Sequence, residues 1–184
     1  MPSTYRYPRT EFDPKPRRRR KPLQFGKSGI LLGISFAAIV LDRVSKYLVD
    51  RHLPTGSAIT VIQGVFRITH VLNTGAAFSM FAESTSPATV RNALVAFSVF
   101  AVVMVAVMLW RVAKSITPTS VALALILGGA IGNLYDRMHY HFVIDFLEVT
   151  IIRYHWPDFN IADSCIVVGA CLLLLEIFRP QPED

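Results

Sequence analysis

Residues 92–110 run for 19 positions without a charged side chain, and a second uncharged run of 21 positions follows at 115–135. A helix that crosses a bilayer needs about 20 predominantly apolar residues, so either run can span on its own. Two more apolar segments bracket them. Residues 30–49 have the length but carry Asp42, Arg43 and Lys46 near the far end. Residues 162–178 are the shortest, with Asp163 at the start and Glu176 near the end. The 184 residues are 52% hydrophobic and only 17% charged, where a soluble domain carries about 25% charge. A soluble enzyme does not fit. Cys165 and Cys171 are too few for a disulfide scaffold or a thiolate zinc site. Six residues apart, they lie on different helix faces and read as packing residues. The fold class expected is an α-helical integral membrane protein with four transmembrane helices.

The cations orient it. Nine of the 19 Lys and Arg precede Ile30, five of them consecutive at 17–21, among the helix-breaking Pro2, Pro8, Pro14, Pro16 and Pro22. Residues 1–27 read as a disordered basic tail that faces anionic lipid, not nucleic acid. No small-residue cleavage site follows the first apolar segment, so that segment reads as an anchor. The tail, Arg111, Lys114 and Arg179 place twelve cations on one side. Arg51, Arg67, Arg91 and Arg153 lie on the other, with Arg43, Lys46 and Arg137 near helix ends. Positive charge stays inside, so both termini, including the short tail 179–184, are expected in the cytoplasm.

On the outer side, residues 59–62 and 65–72 are β-branched and aromatic and are split by Gln63-Gly64, which predicts a small hairpin within an outer β element at about 57–80. Its backbone groups cannot lie bare in hydrocarbon, so it rests at the interface or against the helices.

The ionisable groups collect at the same end. Asp42 and Lys46 stand at i and i+4 on one helix face and read as an ion pair. Asp136 and Arg137 close the third segment as a helix-end pair, and Asp163 has the position of an N-cap. Asp145 lies in the apolar run Phe142-Val143-Ile144-Asp145-Phe146-Leu147. A carboxylate in or near hydrocarbon is expensive and marks a functional site. Two carboxylates in a half-apolar site cannot both ionise cheaply; one holds a proton while the other acts as base on a water. The spacing permits Asp145 and Asp163 to meet without requiring it. Gly128 and Gly132, at i and i+4, let a neighbouring helix approach closely. That would bring Asn133 and Asp136 toward the other helices, and Asn73, Asn133 and Asn160 could donate to a carboxylate or a substrate backbone.

Five blocks now stand in order: Leu41-Asp42-Arg43-Val44-Ser45-Lys46, Asn73-Thr74-Gly75-Ala76-Ala77-Phe78-Ser79, Gly128 to Arg137, Val143-Ile144-Asp145-Phe146 and Phe159-Asn160-Ile161-Ala162-Asp163-Ser164. Together they resemble the signature blocks of lipoprotein signal peptidase (signal peptidase II), over about residues 29–178. The resemblance implies a membrane peptidase domain at 28–178 and an aspartic endopeptidase of the bacterial inner membrane. It implies removal of signal peptides from prolipoproteins, cutting before a diacylglyceryl-modified cysteine. The catalytic aspartates fall on Asp145 and Asp163; supporting or substrate-binding positions fall on Asn73, Gly75, Asn133, Asp136, Arg137, Asn160, Asp42 and Lys46. It implies no metal and no organic cofactor. The partners are lipid-modified prolipoproteins and membrane lipids, not nucleic acid, and the chain is expected to be a monomer. His141 stands where the family usually has Gly.

Two rivals remain. A proton-coupled transporter also uses intramembrane aspartates, but the halves show no internal repeat. A metallopeptidase could draw on His139, His141, His155 and Asp158, whose spacing is not a helical His-Glu-x-x-His. A non-enzymatic assembly factor is a third possibility if no dyad forms.

Overall fold

A computed structural model describes residues 26–75 and 86–179. The arginine-rich run, the part of the outer element beyond Gly75 and residues 180–184 lie outside the described residues.

Among the described residues four helices form: α1 Lys27–His52, α2 Pro87–Val112, α3 Pro118–His139 and α4 Ile161–Ile177. Their starts are legible in the chain. Proline opens both α2 and α3, where its missing N–H costs nothing. Ser86 caps α2 by accepting from the Thr89 N–H, and Thr117 and Ser120 form a reciprocal capping box on α3. Three helices, of 26, 25 and 22 residues in their apolar extent, are long and apolar enough to cross a membrane. The fourth has 17 residues, which at 1.5 Å per residue is about 25 Å, short of a hydrocarbon core of about 30 Å.

The sheet exceeds the predicted hairpin. β1 Ala58–Ile62 and β2 Phe66–Asn73 pair as expected, but β2 also pairs with β3 Val143–Ile151, and a two-residue β4, Tyr154–His155, completes the order β1-β2-β3-β4. The first half of β3 is buried on both faces, so its sequence is uniformly apolar around Asp145 and shows no alternation. The register shifts between Ile68 and Val71, after which Val71 faces Asp145 and Asn73 faces Val143. Asn73 and Asp145 therefore sit diagonally on one face of the sheet.

α3 is the central helix and touches α1, α2 and α4. Glycine makes this possible. A Cβ on Gly128 would lie 2.6 Å from the Ser35 carbonyl oxygen of α1, and one on Gly129 would lie 2.3 Å from the Ala162 carbonyl oxygen of α4. The expected close packing of this face is present, and it brings α1 and α4 to adjacent sides of the same helix, where a Cβ on Gly132 would meet both Asp42 and Ala162. Leu31, Leu109, Leu123, Ala124 and Leu127 form a core at the end of the bundle away from the sheet. The other end is polar inside, and the sheet attaches there through α3 and α1. Cys165 and Cys171 are free; Cys165 is half-buried, whereas Cys171 is exposed on the helix surface and is not a packing residue.

Candidate active site

Asp145 comes from β3 and Asp163 from the first turn of α4. The sequence placed Asp163 at the N-cap; the cap is Asn160, and Asp163 is the other half of a capping box. Asn160 thereby joins the two aspartates. Its Oδ1 accepts from the Asp163 backbone N–H (3.0 Å), its own N–H donates to Asp163 Oδ2 (3.2 Å), and its Nδ2 donates to Asp145 Oδ1 (2.7 Å). Asn133 Nδ2 donates to Asp163 Oδ1 at 2.7 Å, and Asn73 Nδ2 donates to Asp145 Oδ2 at 2.9 Å. Each of the four carboxylate oxygens accepts one hydrogen bond.

The direction of all three amides follows from donor chemistry. The Asp163 N–H, the Gly75 N–H and the Lys46 ammonium can only donate. They meet the Oδ1 atoms of Asn160 (3.0 Å), Asn73 (2.9 Å) and Asn133 (3.0 Å) respectively. Each amide must then turn its NH₂ toward an aspartate. Gly75 reaches this position at φ +83°, a backbone conformation open to glycine.

Behind the asparagines lies a buried charge cluster. Lys46 is fully buried, with Nζ 2.8 Å from Asp42 Oδ2 and 2.7 Å from Asp136 Oδ2. Asp42 Oδ1 accepts from the Ala162 N–H at 3.0 Å, tying α1 to the first turn of α4. The second oxygen of Asp136 pairs with Arg43, whose guanidinium lies over the Tyr135 ring at 4.5 Å. The expected Asp42–Lys46 pair is present. The expected Asp136–Arg137 pair is not: adjacent helical side chains diverge, and Asp136 turns inward to Lys46 while Arg137 lines a cavity shared with Asn133 and Asp163. Arg43 was missed as a partner, because its reach to Asp136 depends on how α1 packs on α3, which no local pattern specifies.

Asp145 is almost completely buried. Burial pushes its carboxyl up from 3.8 to about 6; the Asn73 hydrogen bond opposes this and the neighbouring Asp163 charge adds to it. Beside Asp163 opens a cavity of about 310 Å³ between α2, α3 and α4. Its walls are Leu94, Phe97, Ala101, Val105, Ile126, Ala130 and Ile166, and its polar end carries Ser98, Asn133, Arg137 and Asp163.

The four groups of the metallopeptidase alternative are spread out. His139 stacks on Tyr135, His155 bonds Glu148 and Thr150 on the sheet, and Asp158 accepts from Thr69. Among the described residues no three His, Cys, Asp or Glu side chains converge as a metal site. His141 adopts φ +69°, which explains why glycine suits this position. Histidine tolerates that region better than most residues, so the turn into β3 is kept.

Residues 34–179 match the family model described as Signal peptidase (SPase) II. The chain is 41% identical over 149 residues to the lipoprotein signal peptidase of Solibacter usitatus, covering 81% of this chain and 90% of that protein. It is 42% identical over 163 residues to that of Pseudomonas fluorescens, covering 87% and 95%. A bacterial membrane enzyme solved at 1.9 Å superposes with a TM-score of 0.68 at 25% identity, covering 83% of this chain and 95% of that one.

Proposed function

The chain belongs to the signal peptidase II family, and from that premise we propose that it removes signal peptides from diacylglyceryl-modified prolipoproteins, cutting before the modified cysteine. The observation that carries the mechanism is the pair Asp145 and Asp163, bridged by Asn160, with Asp163 lining a largely apolar cavity. In this reading all four helices cross the inner membrane of a bacterium, both termini are cytoplasmic and the sheet lies on the outer face. The acyl chains occupy the cavity beside Asp163, with Arg137 facing their polar head.

Asp145 is the member that holds a proton, because burial raises it. Asp163 takes a proton from water as the oxygen attacks the scissile carbonyl, and Asp145 donates its proton to the carbonyl oxygen. The tetrahedral diol then collapses: Asp163 returns its proton to the leaving nitrogen, Asp145 recovers one from the diol, and no acyl-enzyme forms. The asparagines hold both carboxyl groups in place throughout.

Purified protein in detergent should cleave a diacylglyceryl-modified prolipoprotein with chelator present. Mass spectrometry should place the new N-terminus at the modified cysteine, and hydroxylamine should trap no acyl-enzyme. Loss of cleavage on adding chelator, or inactivity on several modified substrates, would overturn the reading and turn attention to proton flux.

The pH dependence follows from the same carboxyl. The protonated form of Asp145 is the active one, so kcat/KM should fall as pH rises through about 6. Asn73 favours the ionised form through its hydrogen bond, so Asn73→Leu should move this alkaline limb to higher pH. A limb that stays in place in the variant would show that another group controls it.

A further inference from the structure

β3 and β4 are joined by only two residues, Ile152 and Arg153. Ile152 sits at φ +60°, a turn conformation that favours glycine or asparagine and crowds a β-branched side chain. It is also 93% exposed. In water, neither the steric cost nor the bare aliphatic side chain has any compensation.

Its neighbours supply the context. Ile151 pairs with Tyr154, so the two share a face, and Trp156 meets Tyr154 edge-on with ring centroids 6.2 Å apart. All three are more than half exposed. Side chains alternate along a strand, which puts Ile151 on the same face as Val149, Leu147 and Asp145. The apolar side of the hairpin thus continues the face that bears the aspartate. On its other side, Arg67, Arg153 and His155 border an open groove of about 520 Å³ that Ile152 also lines; Arg67 and His155 bond Glu148, whereas Arg153 is in no ion pair among the described residues. An aliphatic tip flanked by Tyr, Trp and the unpaired Arg153 is the composition of a membrane interface.

We propose that the β3–β4 hairpin docks into the phospholipid leaflet on the aspartate side of the membrane. Ile152 enters the acyl region, Tyr154 and Trp156 lie at the level of the headgroups, and Arg153 meets lipid phosphate. Docked in this way, the hairpin fixes the depth of β3 and of Asp145 relative to the bilayer. The proposal rests on the membrane placement given above but not on the cleavage chemistry.

The test uses fluorescence, so a failure of the peptidase reading leaves it intact. Trp110 and Trp156 are the two tryptophans, and Trp110→Phe leaves Trp156 as the sole tryptophan, excited selectively at the red edge beyond tyrosine absorption. The protein is reconstituted in vesicles of phosphatidylglycerol and phosphatidylcholine, with some acyl chains brominated. Trp156 should be quenched by the brominated chains and shielded from aqueous iodide. Ile152→Gly suits the positive φ and keeps the fold, as thermal unfolding would verify, yet it should lose the bromine quenching and gain iodide quenching. Iodide quenching of the parent protein, unchanged quenching in Ile152→Gly, or shielding that disappears on dilution among vesicles would each overturn the proposal, the last in favour of contact between copies.

Discussion

Asp163→Asn and Asp145→Asn should each lower single-turnover cleavage by roughly 10⁴-fold, since in the proposed mechanism each removes one side of an acid–base pair. The double variant should be no slower than either single one, because the two groups act as a unit. The stabilities should differ in a way that the geometry dictates. Asp163 accepts from Asn133 Nδ2 and from the Asn160 N–H, so an amide at this position must oppose its NH₂ to one of these donors. Leaving a buried donor unpaired costs about 1–3 kcal/mol, to be read in thermal unfolding in detergent. Asp145→Asn meets the same conflict with Asn73 and Asn160, but it also removes a carboxyl that burial already disfavours when ionised. Above pH 6 the second effect offsets the first, so Asp145→Asn should be the more stable of the two. If either variant folds normally and keeps more than about a tenth of the wild-type rate, its aspartate is not half of an acid–base pair.

These expectations separate what could be seen in the chain from what could not. The helices were legible because hydrocarbon demands long uncharged runs, and α2 and α3 answer that demand directly. The hairpin was legible from β-branched runs split by Gln63-Gly64. β3 was not, because burial on both faces erases the alternation that marks a strand, and its partner β2 lies some 75 residues away. At the site, Asp145 stood out as an unexplained charge among apolar residues. Asp163 was legible as a helix-start residue, but its exact place in the first turn depended on whether Asn160 or Asp163 took the cap, and both are good caps. The partner of Asp136 depended on how α1 and α3 rotate against each other, which Gly128 and Gly132 permit and no local signal specifies.

Lys46→Met should destabilise the protein by about 3–5 kcal/mol, the usual effect of removing one member of a buried ion pair. Met nearly matches the volume of the lysine stem, so the loss is electrostatic: Asp136 remains buried with Arg43, and Asp42 remains buried with no other ion-pair partner among the described residues. Asp42→Asn in the same protein removes one of the two stranded charges. The double variant should therefore lose less stability than the two single losses combined, with a coupling of about 0.5–3 kcal/mol. Activity should not follow stability. Lys46 also donates to Asn133 Oδ1 and so compels the Asn133 NH₂ to face Asp163. Without the ammonium, only the longer contact from Asn160 Nδ2, at 3.3 Å, still favours that orientation. The double variant should stay well below wild type in kcat with little change in KM, because Asn133 steers the base and not the substrate. A double variant that recovers activity together with stability would reduce Lys46 to a neutralising charge. One that refolds but stays slow would make Lys46 a positioning residue, acting on Asp163 through a single amide.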